Sequence, residues 1–192
     1  ASGANKMYDG TTTATFTGTL SGVYGTDNVT LNATGTFASA SIGNSKAITS
    51  TATLSGTKAG YYTLTQPTGL TANITAKPLT VINTTVANKV YDGTTTATLS
   101  NGSLVGVVAA DVANVTLTQT GNFSDKNVGT GKAVTAADTL GGTEAGNYSI
   151  TQPAGLTAGI TARSLAVSGI SALSKTYDAT AVATLSGTAI VA

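Results

Sequence analysis

The chain of 192 residues has no cysteine, no histidine and no tryptophan, and a single methionine. Without cysteine there is neither a disulfide framework nor a thiolate metal site. Without histidine the usual general base at neutral pH and the commonest metal ligand are gone. Carboxylates and lysines remain, so not every enzyme is excluded, but most familiar catalytic sets are. Charge is equally scarce: 9% of residues are charged, against about 25% in an average globular domain, and the net charge is +1. That balance leaves no basic footprint for nucleic acid. Three prolines are too few for a proline-rich linker, and no apolar run reaches the roughly 18 residues of a membrane span. No signal peptide is visible at the start.

What fills the space is threonine, serine, asparagine and 23 glycines. Threonine is β-branched and suits a half-exposed strand; glycine supplies turns. Short windows alternate apolar and polar residues, as in Val115-Thr116-Leu117-Thr118 and Leu79-Thr80-Val81. Alternation of period two between Gly, Asn and Asp reads as strands joined by tight turns. No window has a helical face of three turns, and residues 107–113 have room for one short helical turn.

Self-similarity sets the architecture. The segment Lys6-Met7-Tyr8-Asp9-Gly10-Thr11-Thr12-Thr13-Ala14-Thr15 returns as Lys89-Val90-Tyr91-Asp92-Gly93-Thr94-Thr95-Thr96-Ala97-Thr98, and weakened as Lys175-Thr176-Tyr177-Asp178-Ala179-Thr180. Downstream, Gly35-Thr36-Phe37 matches Gly121-Asn122-Phe123, and Thr65-Gln66-Pro67 matches Thr151-Gln152-Pro153. The extra residues of the second copy fall between residues 101 and 114, against 18–28 of the first, as expected of a surface loop. A period near 86 is too long for one solenoid coil, whose units run roughly 20–45 residues, and suits a small domain.

The reading is an all-β chain of tandem small two-sheet, sandwich-like domains in an elongated array. Residues 1–77 form a first repeat lacking its opening strand, 78–163 a complete second repeat, and 164–192 the opening strands of a third. Each repeat is expected to bury its own narrow interior. The expected core is Leu79, Val81, Leu104, Val115, Leu117, Phe123, Val134, Leu140, Tyr148, Ile150, Leu156 and Ile160. First-copy counterparts are Leu20, Val29, Leu31, Phe37, Ile48, Leu54, Tyr62, Leu64, Leu70 and Ile74. Residues 164–192 are too few to bury a core alone; they are expected to be poorly ordered or to lie against another surface, or to fill the missing first strand of another molecule.

The Tyr-Asp-Gly-Thr-Thr-Thr-Ala-Thr motif, with Ala145-Gly146-Asn147-Tyr148 and Ile160-Thr161-Ala162-Arg163 at matching spacing, resembles the signature of the YDG repeat family, which is related to the MBG repeats. The resemblance implies a repeat from a large exported bacterial protein, similar to filamentous-haemagglutinin-type adhesins of two-partner secretion systems. It implies an extracellular or cell-surface stalk or spacer, with direct adhesion to polysaccharide or to another copy in a biofilm as the alternative. It implies no catalytic residues, metal or cofactor. Neighbouring repeats are the expected partners, with no nucleic acid and no membrane insertion. Ala179 departs from the motif, suggesting that a positive φ is not obligatory at that turn.

Several residues invite chemistry. Asp9, Asp92 and Asp178 recur at one position, but a Ca²⁺ site needs six to eight oxygens and the chain has seven Asp and one Glu; an Asp-Gly turn is the plainer reading. Tyr8, Tyr91 and Tyr177 are read as core or inter-domain anchors rather than sugar-stacking platforms. Lys6, Lys89 and Lys175 lie two residues before them, on the same face if the strand continues. A Lys–Asn isopeptide staple lacks a repeated assisting acid, since Glu144 aligns with Lys58 and Asp138 with Ala52. Of twelve Asn, eight sit in N-x-S/T; only Asn28 and Asn114 align, as alternating polar strands would produce without glycosylation. The dense threonines do not form the short coils of an ice-binding lattice.

Overall fold

A computed structural model describes residues 1–191. Among the described residues, strands and three single-turn 3₁₀ helices account for all regular structure, so the all-β expectation holds. One of those turns, Ala109–Asp111, falls in the window where a helical turn was expected; the other two, Ala59–Tyr61 and Ala145–Asn147, were not foreseen.

The second repeat shows the complete plan. Its larger sheet runs Lys89–Val90, Thr157–Thr161, Gly129–Ala136, Gly121–Phe123, Thr96–Ala97. Its smaller sheet has Lys77–Ile82 in the centre. That strand pairs antiparallel with Ser103–Val105 and parallel with Tyr148–Thr151. Alternation does what period two predicts: Leu79 and Val81 point inward at 0% and 4% exposure, while Thr80 and Ile82 face out. The first repeat repeats the larger sheet, with Lys6–Met7 parallel to Thr71–Thr75 in the register that Lys89–Val90 takes on Thr157–Thr161. Gly35 and Gly121 sit where a Cβ would strike the facing strand, 2.7 Å from the Thr49 carbonyl oxygen and 2.9 Å from that of Thr135. The sheets close over these positions because no side chain is there.

Half of the expected core is buried, and the other half, including Leu20, Leu31, Leu104, Leu117, Leu140 and Leu156, is only partly so. Phe37, Ile48, Leu70, Ile74, Leu79, Val81, Val115, Phe123, Val134, Tyr148 and Ile160 are buried. Small residues missing from the expectation, Ala14, Ala52, Ala72, Ala97, Ala136 and Ala158, are buried too, as is Phe16. A narrow interior is filled by alanine as much as by larger side chains.

Two outcomes differ from the sequence reading. First, the interiors are not wholly separate. One hydrophobic cluster runs from Tyr8, Phe37 and Ile74 through Leu79 to Val115 and Tyr148, crossing the boundary at 77/78, while Ala97, Phe123, Val134 and Ile160 form a second cluster. The reason is the chain path: Thr71–Thr75 ends one residue before Lys77–Ile82 begins, so the last strand of one repeat feeds the central strand of the next. Second, in the first repeat no strand occupies the place of Lys77–Ile82. Val29 and Tyr62 stay half-buried, whereas their counterparts Val115 and Tyr148 are buried; Leu54 and Leu64 are half-buried, as are their counterparts Leu140 and Ile150. Residues 62–65, equivalent to the paired strand Tyr148–Thr151, form no strand at all.

The third segment folds back as a hairpin, Val167–Ala172 against Leu185–Val191. It reproduces a pairing of the second repeat, Ser171 with Ser186 and Ala172 with Leu185 as Thr85 pairs with Ser100 and Val86 with Leu99. Every residue of Val167–Ala172 is exposed.

The vacant strand position has a measurable consequence. In hydrogen exchange followed by NMR, the amides of Tyr148–Thr151 should be protected well beyond those of residues 62–65, because only the former have a partner strand. Equal protection at the two sites would contradict the asymmetry.

Candidate functional site: the joint between repeats

Three features converge where the first repeat meets the second. The first is the Tyr-Asp-Gly loop. Asp9 Oδ1 accepts the Thr11 backbone N–H (2.9 Å) and the Thr11 hydroxyl (2.9 Å), an Asx turn that lets the chain reverse. Asp92 and Asp178 do the same with Thr94 and Thr180. The next residue is left-handed in all three copies, with φ of 77° at Gly10, 79° at Gly93 and 60° at Ala179. The suggestion that Ala179 relaxes this requirement is therefore corrected: the turn is the same and alanine bears the strain.

The centre of each loop holds a lysine ammonium. Lys6 Nζ donates to Asp9 Oδ1 (2.7 Å), the Thr11 carbonyl (2.8 Å) and the Thr13 carbonyl (3.0 Å). Lys89 repeats this with Asp92, Thr94 and Thr96, and Lys175 with Asp178 and Thr180. Lys6 and Lys89 also sit over the rings of Phe37 and Phe123, at 5.7 and 5.8 Å. The oxygens that raised the question of a cation site thus already surround a cation, the protein's own. Among the described residues no group of three or more acidic side chains gathers for a metal. Hydrogen bonding to Lys89 and to Thr94 holds the Asp92 carboxyl down at about 2.

The second feature is the motif tyrosine. The strand stops at Met7, so Lys6 and Tyr8 do not share a contact. Lysine turns into its own loop and Tyr8 reaches into the second repeat. Its hydroxyl donates to Asp111 Oδ2 at 2.8 Å, and its ring meets Tyr148 edge-on, centroids 5.3 Å apart and planes at 80°. Edge-to-face geometry of this kind favours aromatic pairs beyond their buried area. Tyr8 is 3% exposed, its counterpart Tyr91 37% and Tyr177 91%. The same motif residue is buried only where a following repeat covers it, which makes it an inter-domain anchor.

The third feature is the socket, formed by Asp111 and Tyr148. Tyr148 donates to Asp111 Oδ2 at 2.5 Å and accepts the Val108 N–H at 3.1 Å. The buried carboxylate (6% exposed) takes two phenols, one from each repeat. Burial and donation to Asp111 push Tyr148 up to about 12, and Tyr8 higher still above the ordinary phenol value. The joint is completed by the Ile42 N–H on Asn147 Oδ1 at 3.1 Å, with Asn147 steadied by Glu144 at 2.7 Å.

The same socket exists, open, on the first repeat. Tyr62 donates to Asp27 Oδ2 at 2.6 Å and accepts the Tyr24 N–H at 3.0 Å. Sequence reasoning located the plug, Tyr8, but missed Asp27 and Asp111. The signal was present: each lies seven residues past a Leu-x-Gly-Val start, Leu20 and Leu104, before the inserted Val112-Ala113 shifts the alignment.

The motif spacing had indicated two repeats of one type, and the YDG domain profile matches residues 1–69 and 75–155. The chain belongs to the YDG domain family. Neither a curated protein nor a solved structure matches it. In this YDG chain the motif after which the family is named therefore has two parts: Asp and Gly shape a lysine-filled loop, and Tyr leaves that loop to dock on the next domain.

If the lysine organises the loop, Lys89→Met should bring the Asp92 pKa, followed by NMR titration of its side-chain carbonyl, from about 2 back toward the unperturbed value of about 4. Asp92 is depressed in the folded state, so its contribution to stability is present above about pH 4 and is lost as pH falls toward 2. The variant should lose that acid-range dependence; an unchanged Asp92 titration would show that the lysine is incidental.

Proposed function

We propose that this chain is a non-catalytic spacer from the stalk of an exported bacterial surface adhesin, where successive YDG repeats set the distance at which an adhesive region is presented. The observation that supports this most is that the joint uses two different surfaces of one repeat. The plug leaves the Tyr-Asp-Gly loop of the first repeat, and the socket around Tyr148 and Asp111 is built on a different part of the second repeat from its own Tyr-Asp-Gly loop at Tyr91–Gly93. Two unlike, complementary surfaces make a heterologous contact, the kind that can run on from repeat to repeat. The first repeat has a socket of its own at Tyr62 and Asp27, and the second a motif tyrosine of its own at Tyr91, so each repeat carries both surfaces.

The threonine-rich, weakly charged exterior fits a hydrated passive surface outside the cell, and in the absence of cysteine any resistance to pulling rests on strand pairing and the buried joint. Membrane insertion and nucleic-acid binding have no part in this role. The strand-to-strand connection at Ala76 fits a stiff spacer better than a flexible tether.

A second reading, direct adhesion to polysaccharide, is favoured by the exposed rings of Tyr24, Tyr61 and Tyr177. The two readings part in experiment. Small-angle scattering on two-, four- and six-repeat proteins should give a maximum dimension that grows in proportion to repeat number, and a glycan array should show no binding. A dimension that levels off with added repeats would sink the spacer role, and saturable glycan binding would favour the adhesive one.

A further inference from the structure

We infer that each repeat carries a shear latch against pulling along the chain. The latch is the parallel pairing of an early segment with the last strand: Lys6–Met7 on Thr71–Thr75 in the first repeat, Lys89–Val90 on Thr157–Thr161 in the second. The asparagine just ahead of each early segment, Asn5 or Asn88, adds a further rung. The spacer role proposed above is what would impose such a pull; the latch rests on that reading for its use and on strand direction for its existence.

Strand direction decides how a pull is met. Force enters a repeat through its early strands and leaves through its late ones. When an early strand runs parallel to a late one, the two loaded ends lie at opposite ends of the pair. The pull then slides the strands past each other and loads their hydrogen bonds together. In an antiparallel pair the loaded ends are neighbours, and the bonds open one after another. Among the described residues three pairings are parallel, and each joins an early strand to a late one: Lys6–Met7 to Thr71–Thr75, Lys77–Ile82 to Tyr148–Thr151, and Lys89–Val90 to Thr157–Thr161. The remaining pairings are antiparallel. Thr71–Thr75 passes through Ala76 into Lys77–Ile82, so the strand that carries load out of the first repeat delivers it to a parallel pair in the second.

The early segment is short, and side chains lengthen its hold. Asn88 Oδ1 accepts the Gly159 N–H at 2.6 Å, and the Tyr91 N–H donates to the Thr161 carbonyl at 2.9 Å. The Asn88 carboxamide thus stands in for a backbone carbonyl at one end of the pair, while Tyr91 extends it at the other. The first repeat repeats both bonds: Asn5 Oδ1 accepts the Asn73 N–H at 2.7 Å, and the Tyr8 N–H donates to the Thr75 carbonyl at 2.9 Å. Between them lies the lysine whose ammonium is held by the loop carbonyls, Lys89 by Thr94 and Thr96 and Lys6 by Thr11 and Thr13. The segment is therefore tied at its start to the last strand and at its middle to its own loop. Asn-Lys-x-Tyr acts as one unit, and the Tyr-Asp-Gly loop is the buttress behind it.

Because the chain has no cysteine, introduced thiols let the pull be aimed in single-molecule force spectroscopy on the full chain. One protein carries anchors at Ala87→Cys and Arg163→Cys, both exposed positions, and pulls the latch of the second repeat in shear. Another carries Tyr91→Cys and Arg163→Cys, and pulls apart the two ends that lie side by side. Forced unfolding is governed by the unfolding barrier, so the first rupture force should be several-fold the second. Asn88→Ala should lower the shear force and leave the unzipping force unchanged, because unzipping from the Tyr91 end reaches the Asn88 bond last. Glycan binding that sank the spacer role would alter neither force, so the two readings fail separately. Equal forces in the two directions, or a shear force that Asn88→Ala leaves intact, would overturn the inference.

Discussion

One buried carboxylate accepting two buried phenols is the interaction on which the rest of this chain depends. Asp111 is, with Asp138 and Asn147, one of the buried polar residues in a mainly apolar interior, and burying such a group is costly unless it is paired and hydrogen-bonded. It takes one phenol from its own repeat and one from the preceding repeat. Removing the neighbour therefore removes a donor from a buried acceptor. Docking is specified by hydrogen-bond chemistry as well as by apolar area, which suits a chain with so few large side chains.

The second constraint is chain path. A single residue, Ala76, separates the last strand of one repeat from the central strand of the next sheet. The second repeat thus receives the middle of its smaller sheet directly from the strand that lies between Gly43–Ser50 and Lys6–Met7 in its predecessor, and Leu79, the most buried side chain at the boundary, packs in the cluster that spans both repeats. Domains tied this way share a hydrophobic cluster instead of swinging on a linker. The first repeat, with its half-buried Tyr62 and Leu64, displays the same fold with that strand absent.

Much of this was legible in the sequence, and the failures have physical causes. Alternating Thr with Val or Leu revealed strands, and an 86-residue repeat revealed domain-sized units, because both are local patterns. The Asp-Gly turn was legible because Asx turns need only neighbouring residues. The role of Lys6 was not, because its ammonium folds back onto carbonyls five and seven residues away, which no strand periodicity encodes. Asp111 was missed because an insertion beside it hides its match to Asp27. The shared interior was missed because self-similarity locates where units repeat, whereas burial is decided by which unit a strand finally packs in. The buried alanines were overlooked since a narrow sandwich selects for fit over bulk.

The central claim, that Tyr8 and Asp111 lock one repeat to the next, is tested most directly by a double-mutant cycle in chemical unfolding. Tyr8→Phe should destabilise the wild-type protein by about 1.5–3 kcal/mol, the range for a hydrogen bond to a charged group. In an Asp111→Ala background the same substitution should cost close to nothing, leaving a coupling of similar size. An identical cost of Tyr8→Phe in both backgrounds would contradict the account.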